Sequence, residues 1–315
     1  MASFATIRSP REILFGAGQR HALPKVARRL GRRALVITDD RLAADAEFQA
    51  LVEGLREGGL AVAICPDTLP DVPVGSAIAA AEAHRDFGAD LVIGIGGVTC
   101  PGMAKCGALL LTPGGRPQDY FAGLRVPGPL PPGRFFAHPP PLRIEIGFGA
   151  GEHLAYRADL LPDHGFVGCE PFLNGVVGAL GHIRDKGLAN VRLHMGDALE
   201  VLSRVPDGTL SFLYLLHPDP WPKARHAKRR MMNDGPVAMF AAKLKPGGEF
   251  RFGTDHPVYL RHGLMVMRRH RDTFEWLADS PASFLERPGG WCETRYEAKA
   301  RQLGHEVWYF RYRRR

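Results

Sequence analysis

Short apolar runs alternate with longer stretches of helical periodicity in the first part of the chain. The predicted strands there are Ala34–Thr38, Leu60–Ile64 and Asp90–Ile95. Their length and continuous hydrophobicity are typical of parallel strands that are buried on both faces. Helices are predicted over Ala43–Glu57 and Val74–Phe87, with Gly88 as a stop, and a third over Met103–Leu111. This order indicates a βαβ series.

The second part repeats the alternation with different details. The predicted strands are Leu142–Ile146, Gly165–Cys169, Asn190–His194, Thr209–Leu216, Glu249–Gly253 and His305–Tyr312. A helix is expected to follow Gly151 and to end at about Leu160. The whole pattern predicts an α/β protein with two Rossmann-like domains.

A proline-rich stretch separates the two patterns. Seven prolines lie between Val126 and Pro141, and such a segment can be neither a helix nor a central strand. We therefore expect a semi-rigid linker over residues 126–141, a first domain over residues 1–125 and a second over residues 142–315.

Composition excludes several classes of protein. No run of about 18 apolar residues exists, so no membrane span is expected, and the N-terminus lacks the pattern of a signal peptide. The five cysteines form no CxxC pair, which favours reduced thiols in a cytoplasmic protein over a zinc site. The sequence does not separate a monomer from a homodimer.

The positive charge is concentrated in the second part. Up to Gly133 there are 14 basic and 13 acidic residues, whereas 27 basic and 20 acidic residues follow. A polyanionic partner is therefore expected to bind the C-terminal domain.

Five acidic residues lie near the ends of the predicted C-terminal strands: Glu145, Glu170, Asp197, Asp219 and Asp255. In an open parallel sheet, ligands bind beyond the carboxyl ends of the strands. The glycines that follow the first of these strands are Gly147, Gly149 and Gly151. They allow a tight turn and a close approach of the backbone to a ligand. Glu170 follows Gly147 by 23 residues, which is the position of the ribose-binding acid in Rossmann-type sites.

The charges beside the glycines decide between two nucleoside cofactors. Glu145 and Glu152 flank the glycine turn, and two carboxylates would repel a pyrophosphate. They suit the sulfonium and the amino group of S-adenosylmethionine, so this cofactor is favoured over NAD. Asp197 is expected to hold the adenine amino group.

The segment His217–Arg230 combines an acid, an aromatic ring and cations. Asp219 lies between two prolines, and Trp221 and Pro222 follow, so a stiff turn without a helix is predicted. The basic residues behind it suit a phosphate backbone. The combination indicates chemistry on a nucleic-acid base.

These segments resemble the bacterial tRNA (guanine-N7)-methyltransferase family. The strings that carry the resemblance are IEIGFGAGEHL, GCEPFLNGV, HPDPWPKARHAKRR, TDHPVY and TRYEAKARQLGHEVW. The resemblance implies a Rossmann-like S-adenosylmethionine-dependent methyltransferase that acts on a guanine in the tRNA variable loop. It implies that Glu145, Glu170 and Asp197 bind the cofactor and that Asp219 is the catalytic acid, which also faces the cofactor. The implied substrate-binding residues are Lys223, Arg225, Lys228, Arg229, Arg230, Asp255, Thr294, Arg295, Tyr296 and Glu297.

The first part resembles a different family, the iron-containing alcohol dehydrogenases. The strings EILFGAGQ, ALVITDD, DLVIGIGGVTCPGMAK and LLLTPGGRPQDYF carry this resemblance. Val98 occupies the place of the third glycine in that family's phosphate loop, and the helical metal-binding domain is absent. We expect an inactive, structural domain, with residual NAD(P) binding through Gly94, Gly96, Gly97 and Thr99 as the alternative.

The methyltransferase part lacks its family's basic N-terminal segment. Two further interpretations therefore stay open: an RNA-binding protein with weak or no catalysis, and a remnant of an NAD(P)-dependent alcohol dehydrogenase.

Overall fold

The fold is described by a computed structural model over residues 14–68, 74–97, 99–111, 128–136 and 140–315. The chain divides into two compact units, Met1–Leu111 and Thr112–Arg315. Each unit has its own sheet and its own hydrophobic core.

The N-terminal unit contains a three-stranded parallel sheet. Its strands are β1 (Arg33–Ile37), β2 (Ala61–Cys65) and β3 (Leu91–Gly94), in the order β2-β1-β3. The strand predictions are confirmed to within one residue at each end. The helices are α1 (Leu23–Leu30), α2 (Asp40–Ala43), α3 (Ala46–Glu57), α4 (Val74–Ala83) and α5 (Thr99–Leu111).

Three helix predictions for this unit differ from the structure at their ends. The stretch predicted as one helix is split before α3, because Asp45 caps α3 and accepts hydrogen bonds from the amides of Glu47 and Phe48. Helix α4 ends four residues earlier than predicted. Helix α5 begins four residues earlier than predicted. Pro101 is tolerated there because it lies in the first turn, where a backbone N–H has no partner within the helix.

The C-terminal unit contains a seven-stranded sheet. Its strands are β4 (Leu142–Ile146), β5 (Gly165–Cys169), β6 (Val191–His194), β7 (Leu210–Leu216), β8 (Leu244–Thr254), β9 (Phe274–Trp276) and β10 (Trp308–Arg314). The order is β6-β5-β4-β7-β8-β10-β9, with β10 antiparallel to both neighbours. The chain order reverses at β4 and β7, so a ligand-binding crevice is expected beyond their carboxyl ends.

The helices of this unit pack against the sheet and cap the crevice. They are α6 (Pro132–Phe135), α7 (Glu152–Leu160), α8 (Leu173–Lys186), α9 (Ala198–Arg204), α10 (Asp234–Lys243), α11 (Pro257–Arg269), α12 (Ala282–Leu285) and α13 (Arg295–Gln302). Strands β4 and β5 are buried along their whole length; β5 has no charged residue, whereas β4 also buries Arg143 and Glu145. In the described part of the chain, no helix is long and apolar enough to cross a membrane.

The structure corrects the expected linker over residues 126–141. Its described residues 128–136 belong to the C-terminal unit, where Leu130, Phe135 and Phe136 are buried in the main core. The amide of Leu130 donates to the carbonyl of Arg204, 2.7 Å away, and fixes the segment beside α9. The expectation that this segment contains no helix is also wrong, because Pro132 lies in the first turn of α6, where its missing N–H is tolerated, and the apolar residues around it pack.

We predict that Phe135→Ala destabilises the C-terminal unit by about 3 kcal/mol or more, because a buried aromatic ring is lost from a packed core. All four tryptophans lie in this unit, so the unfolding midpoint followed by tryptophan fluorescence measures it. Arg134→Ala changes an exposed neighbour and is the matched control. Equal midpoints for the two variants would show that the segment is only a linker.

Candidate active site

The glycine turn after β4 forms one wall of a cavity. Gly149 has a φ of +58°, and a Cβ there would lie 2.6 Å from the ring of Tyr296. Gly151 has a φ of +83°, and its Cβ would lie 2.6 Å from the Cβ of Ala179 in α8. Only glycine combines this conformation with such close contacts.

Glu170 fixes this turn from the end of β5. The carboxylate is buried and accepts hydrogen bonds from two backbone amides, those of Gly149 at 2.9 Å and Phe172 at 3.0 Å. Burial raises the pKa of Glu170, and the two amide donors oppose that rise. The acid therefore has a fixed position at the cavity wall.

Asp197 lies beyond the end of β6. It is exposed, and its Oδ1 accepts a hydrogen bond from the amide of Leu199 at 2.9 Å, which caps α9. The cap fixes the carboxylate at the rim of the cavity.

The cavity has a volume of about 430 Å³. Ligand pockets in proteins usually have volumes of about 300–1,000 Å³. Residues expected from the sequence to bind cofactor or substrate line it: Gly147, Gly149, Glu170, Asp197, Asp219, Arg229 and Tyr296. Trp221 also contributes to the wall.

Glu145 does not line this cavity. Its buried carboxylate lies 2.7 Å from Nδ1 of His153, whose side chain is 1% exposed and packs edge-on against the rings of Tyr214 and Trp291. The neighbouring Ile146 lines the cavity, so Glu145 lies just behind its wall. Sequence analysis did not single out His153, because its pairing with Glu145 depends on tertiary packing.

Asp219 is exposed at the cavity, in a strained turn after β7. His217 has a φ of +50° and Trp221 a φ of +41°, a region that residues with a Cβ rarely adopt. Such strain costs on the order of 1–3 kcal/mol at each residue and is typically found at functional sites.

Most of the basic residues after the turn are exposed, as expected. Arg225 and Lys228 are exposed, and Arg229 lies over the ring of Trp221 with its guanidinium carbon 4.8 Å from the ring centroid. The segment contains a short 3-10 helix, Ala224–Arg229, which follows the stiff turn predicted at the prolines. Lys223 is exposed at the start of this helix.

The structure contradicts the expected role of Arg230 as an RNA contact. It is buried, and it donates hydrogen bonds to the carbonyls of Pro220 and Trp221. A guanidinium with this burial and these partners is not available to a phosphate. Sequence reasoning missed this because a run of basic residues does not reveal which member turns inward.

Asp255 follows β8 and is paired with two histidines. Nδ1 of His217 lies 3.5 Å and Nδ1 of His305 lies 3.4 Å from its carboxylate. The approach of the His217 ring is the main reason that the pKa of Asp255 falls to about 2. Asp255 therefore helps to fix His217, the residue at which the strained turn begins.

The TRYE string forms the start of α13. Thr294 caps the helix by accepting the amide of Glu297 at 3.2 Å. Glu297 is buried among Arg287, Arg301 and Tyr309, all of which donate to its Oε1. The expected substrate contacts through these two side chains are thus replaced by structural ones.

The two middle residues of the same string remain exposed. Tyr296 lines the cavity, and Arg295 lies over its ring with its guanidinium carbon 5.2 Å from the ring centroid. The helix cap therefore presents one aromatic ring and one cation at the cavity.

The N-terminal unit has a separate cavity of about 800 Å³ near the end of β3. Gly94 and Gly96 line it together with mostly apolar side chains. Gly96 has a φ of +143°, and a Cβ there would lie 2.6 Å from Sγ of Cys100. A Cβ at Gly97 would have no other atom within 4 Å. Thr99 begins α5, and Val98 lies outside the described residues. The described residues of the whole chain contain no group of three acids, histidines or cysteines that could hold a metal.

An open α/β sheet with an acid-lined cavity at its topological switch point is typical of enzymes that bind a nucleoside-containing ligand. Residues 139–310 match the family described as "Putative methyltransferase", and residues 10–138 match "Iron-containing alcohol dehydrogenase". Within the C-terminal match, the chain is 70% identical over 189 residues to a tRNA (guanine-N(7)-)-methyltransferase of Erythrobacter litoralis, covering 60% of this chain and 81% of the relative. It is 72% identical over 187 residues to the enzyme of the same name from Sphingopyxis alaskensis, covering 58% of this chain and 79% of that relative.

The chain therefore belongs to the tRNA (guanine-N(7)-)-methyltransferase family, with an N-terminal part that is similar to iron-containing alcohol dehydrogenases. Among solved structures it is similar to an rRNA methylase from Streptococcus thermophilus. That structure is 11% identical with a TM-score of 0.39, covering 56% of this chain and 87% of the other. The fold assignment rests on the strand order and not on this likeness.

The pair of Asp255 and His217 predicts a defined dependence of stability on pH. The pKa of Asp255 is lowered from 3.8 to about 2, so its stabilising effect is complete above pH 4 and is lost as the pH falls toward 2. After allowance for solvent screening, Asp255→Asn should cost about 1–2 kcal/mol at neutral pH. Urea unfolding of both proteins between pH 2.5 and pH 7 measures the difference. A difference that stays constant across this range would contradict the pairing.

Proposed function

We propose that the chain transfers a methyl group from S-adenosylmethionine to N7 of a guanine in the variable loop of tRNA. One observation carries the proposal: Glu170, Asp197 and Asp219 come from three different strand ends and line one cavity, with Arg229 beside them. The family membership and the names of the relatives support the same chemistry.

The residues at the cavity fit the cofactor. Glu170 would accept hydrogen bonds from the ribose hydroxyls, since each of its oxygens uses only one acceptor position for a backbone amide. Asp197 would hold the adenine amino group, and the turn from Gly147 to Gly151 would receive the methionine portion. Glu145 would act from behind this turn on the cationic end of the cofactor. When bound, S-adenosylmethionine supplies a methyl group activated by a sulfonium.

Asp219 would act on the guanine by electrostatics. The N7 lone pair needs no general base, so the enzyme has to align the two reactants and stabilise the charge that develops on the purine. A carboxylate can accept hydrogen bonds from the guanine N1–H and amino group, which become more acidic as N7 becomes positive. The base would have to leave its stack to reach the cavity.

Arg225, Lys228 and Arg229 would neutralise phosphates of the RNA. They are exposed on the same short segment, directly after the turn that carries Asp219. Arg229 already covers one face of Trp221, so stacking of a base on that face would require Arg229 to move toward a phosphate. Arg295 and Tyr296 would contact the substrate from α13.

The second candidate function is RNA binding with weak or no catalysis. The replacement of the family's basic N-terminal segment by a different domain favours it. Methyl transfer assays separate it from the first function, because RNA binding alone leaves the tRNA unmethylated.

For the N-terminal unit we propose a structural role in a cytoplasmic protein. Residual NAD(P) binding at Gly94, Gly96, Gly97 and Thr99 is the alternative. Alcohol oxidation is disfavoured because the match to that family ends at residue 138 and the methyltransferase match begins at residue 139. NADH formation with a panel of alcohols and added iron would overturn the structural role.

Glu170→Gln should weaken S-adenosylmethionine binding by about 10- to 100-fold, since charged hydrogen bonds contribute about 1.5–3 kcal/mol. The amide would also place its NH₂ group against one of the two backbone donors. Isothermal titration with S-adenosylmethionine measures the effect, and Glu200→Gln, an exposed acid outside the cavity, is the control. Unchanged affinity would remove Glu170 from the cofactor site.

Asp219→Ala should lower the rate of methyl transfer at least about 100-fold, as removal of a single electrostatic contact to a transition state does in other enzymes. The tRNA dissociation constant should stay within about twofold, because Asp219 neutralises no phosphate. Single-turnover methylation and filter binding measure the two quantities. Asp163→Ala, at an exposed acid that does not line the cavity, is the matched control. Equal losses of tRNA binding and of methylation rate would contradict the catalytic role of Asp219.

A further inference from the structure

The turn that carries Asp219 has few means of holding its own shape. Pro218, Pro220 and Pro222 have no backbone N–H, so three of the usual donors for a tight turn are missing. The two ends of the turn, His217 and Trp221, have positive φ values. A strained segment of this kind persists only where its surroundings fix it.

The start of the turn is fixed by the sheet. The amide of His217 donates to the carbonyl of Gly253 in β8 at 2.8 Å, and its ring is paired with Asp255. These contacts extend the sheet by one residue beyond β7. They leave the part after Asp219 without support from the sheet.

Arg230 supplies that support. Its Nε donates to the carbonyl of Pro220 at 3.1 Å and its Nη2 to the carbonyl of Trp221 at 2.8 Å. These are the first two carbonyls after Asp219. Arginine alone among the side chains presents several donors in a planar fork, so one residue can fix two successive carbonyls.

Arg230 is in turn tied to the core through α11. Its carbonyl accepts from Nδ2 of Asn233 at 2.7 Å, and Oδ1 of Asn233 lies 3.0 Å from Nε2 of His262 in α11. The buried Tyr259 of the same helix accepts the amide of Met232 at 3.2 Å. The turn is thus connected to the packed helix by a continuous set of hydrogen bonds.

We propose that Arg230 is a positioning residue that holds Asp219 at the cavity, and that it contacts no phosphate. The proposal rests on the proposed methyl transfer for its functional consequence. Asn233 and His262 serve the same purpose from the far end of the hydrogen-bonded set. The basic run is thereby divided into exposed residues for RNA and one buried residue for the active site.

Arg230→Lys is the direct test, because it keeps the charge and removes the planar fork. The turnover rate should fall at least about tenfold, as expected when a reacting group is misplaced. The KM for S-adenosylmethionine and the tRNA dissociation constant should stay within about twofold, and the slope of log K against log salt should not change.

Arg225→Ala is the comparison for a phosphate contact. It should weaken tRNA binding and reduce the salt slope by about 0.7–0.9, the value for one phosphate. If Arg230→Lys behaves in this way, or if it changes neither rate nor binding, the positioning role is wrong.

If Arg230→Lys does not fold, as judged by its fluorescence unfolding curve, the variant His262→Phe tests the role instead. A lower rate with S-adenosylmethionine binding retained supports the role, and an unchanged rate overturns it.

Hydrogen exchange separates this proposal from the proposed function. Exchange of the two hydrogen-bonded amides that flank the turn and Arg230, those of His217 and Met232, is measured without substrate and should be at least about tenfold faster in Arg230→Lys than in the parent protein. Unchanged exchange overturns the positioning role. If the parent protein does not methylate tRNA, the proposed function fails while this result still decides the role of Arg230.

Discussion

The active-site end of the C-terminal unit depends on the two backbone hydrogen bonds accepted by Glu170. They join the glycine turn after β4 to the chain that leaves β5, and so fix the side of the crevice formed by these two strands, next to the point where the strand order reverses. The glycines make this possible, because a side chain at Gly149 would collide with Tyr296 and one at Gly151 with Ala179. A cofactor-sized cavity follows from this local geometry.

Charged residues near the active site differ in burial, and several of them differ in role accordingly. Glu145, Glu297 and Arg230 are buried and satisfied by named partners, so they shape the walls, the helix start and the strained turn. Asp219 and Arg229 are exposed at the cavity and remain available to a ligand. Buried charges are costly unless they are paired, which explains why each of the three has close hydrogen-bonding partners.

Much of the fold could be predicted because local signals were strong. Strands β4 and β5 have the predicted bounds, since β4 ends at a glycine turn and β5 ends at an acid. The segment 128–136 was misjudged because proline content outweighed Leu130 and the two phenylalanines between the prolines. Strand β9 has only three residues and is stabilised by pairing with β10, so no local pattern marks it.

The types of residue at the site could be predicted from the sequence, but the role of each side chain could not. The acids at the strand ends were found because parallel strands bring their carboxyl ends to one edge. The inward orientation of Arg230 and the pairing of Glu145 with His153 depend on tertiary packing, which spacing along the chain does not encode.

The central claim is tested most directly by methyl transfer from labelled S-adenosylmethionine to two unmodified tRNAs that differ only in the variable-loop guanine. The account predicts incorporation of about one methyl group per tRNA when this guanine is present, as 7-methylguanine, and none when it is replaced. Equal labelling of both tRNAs, or binding of both without any labelling, would contradict it.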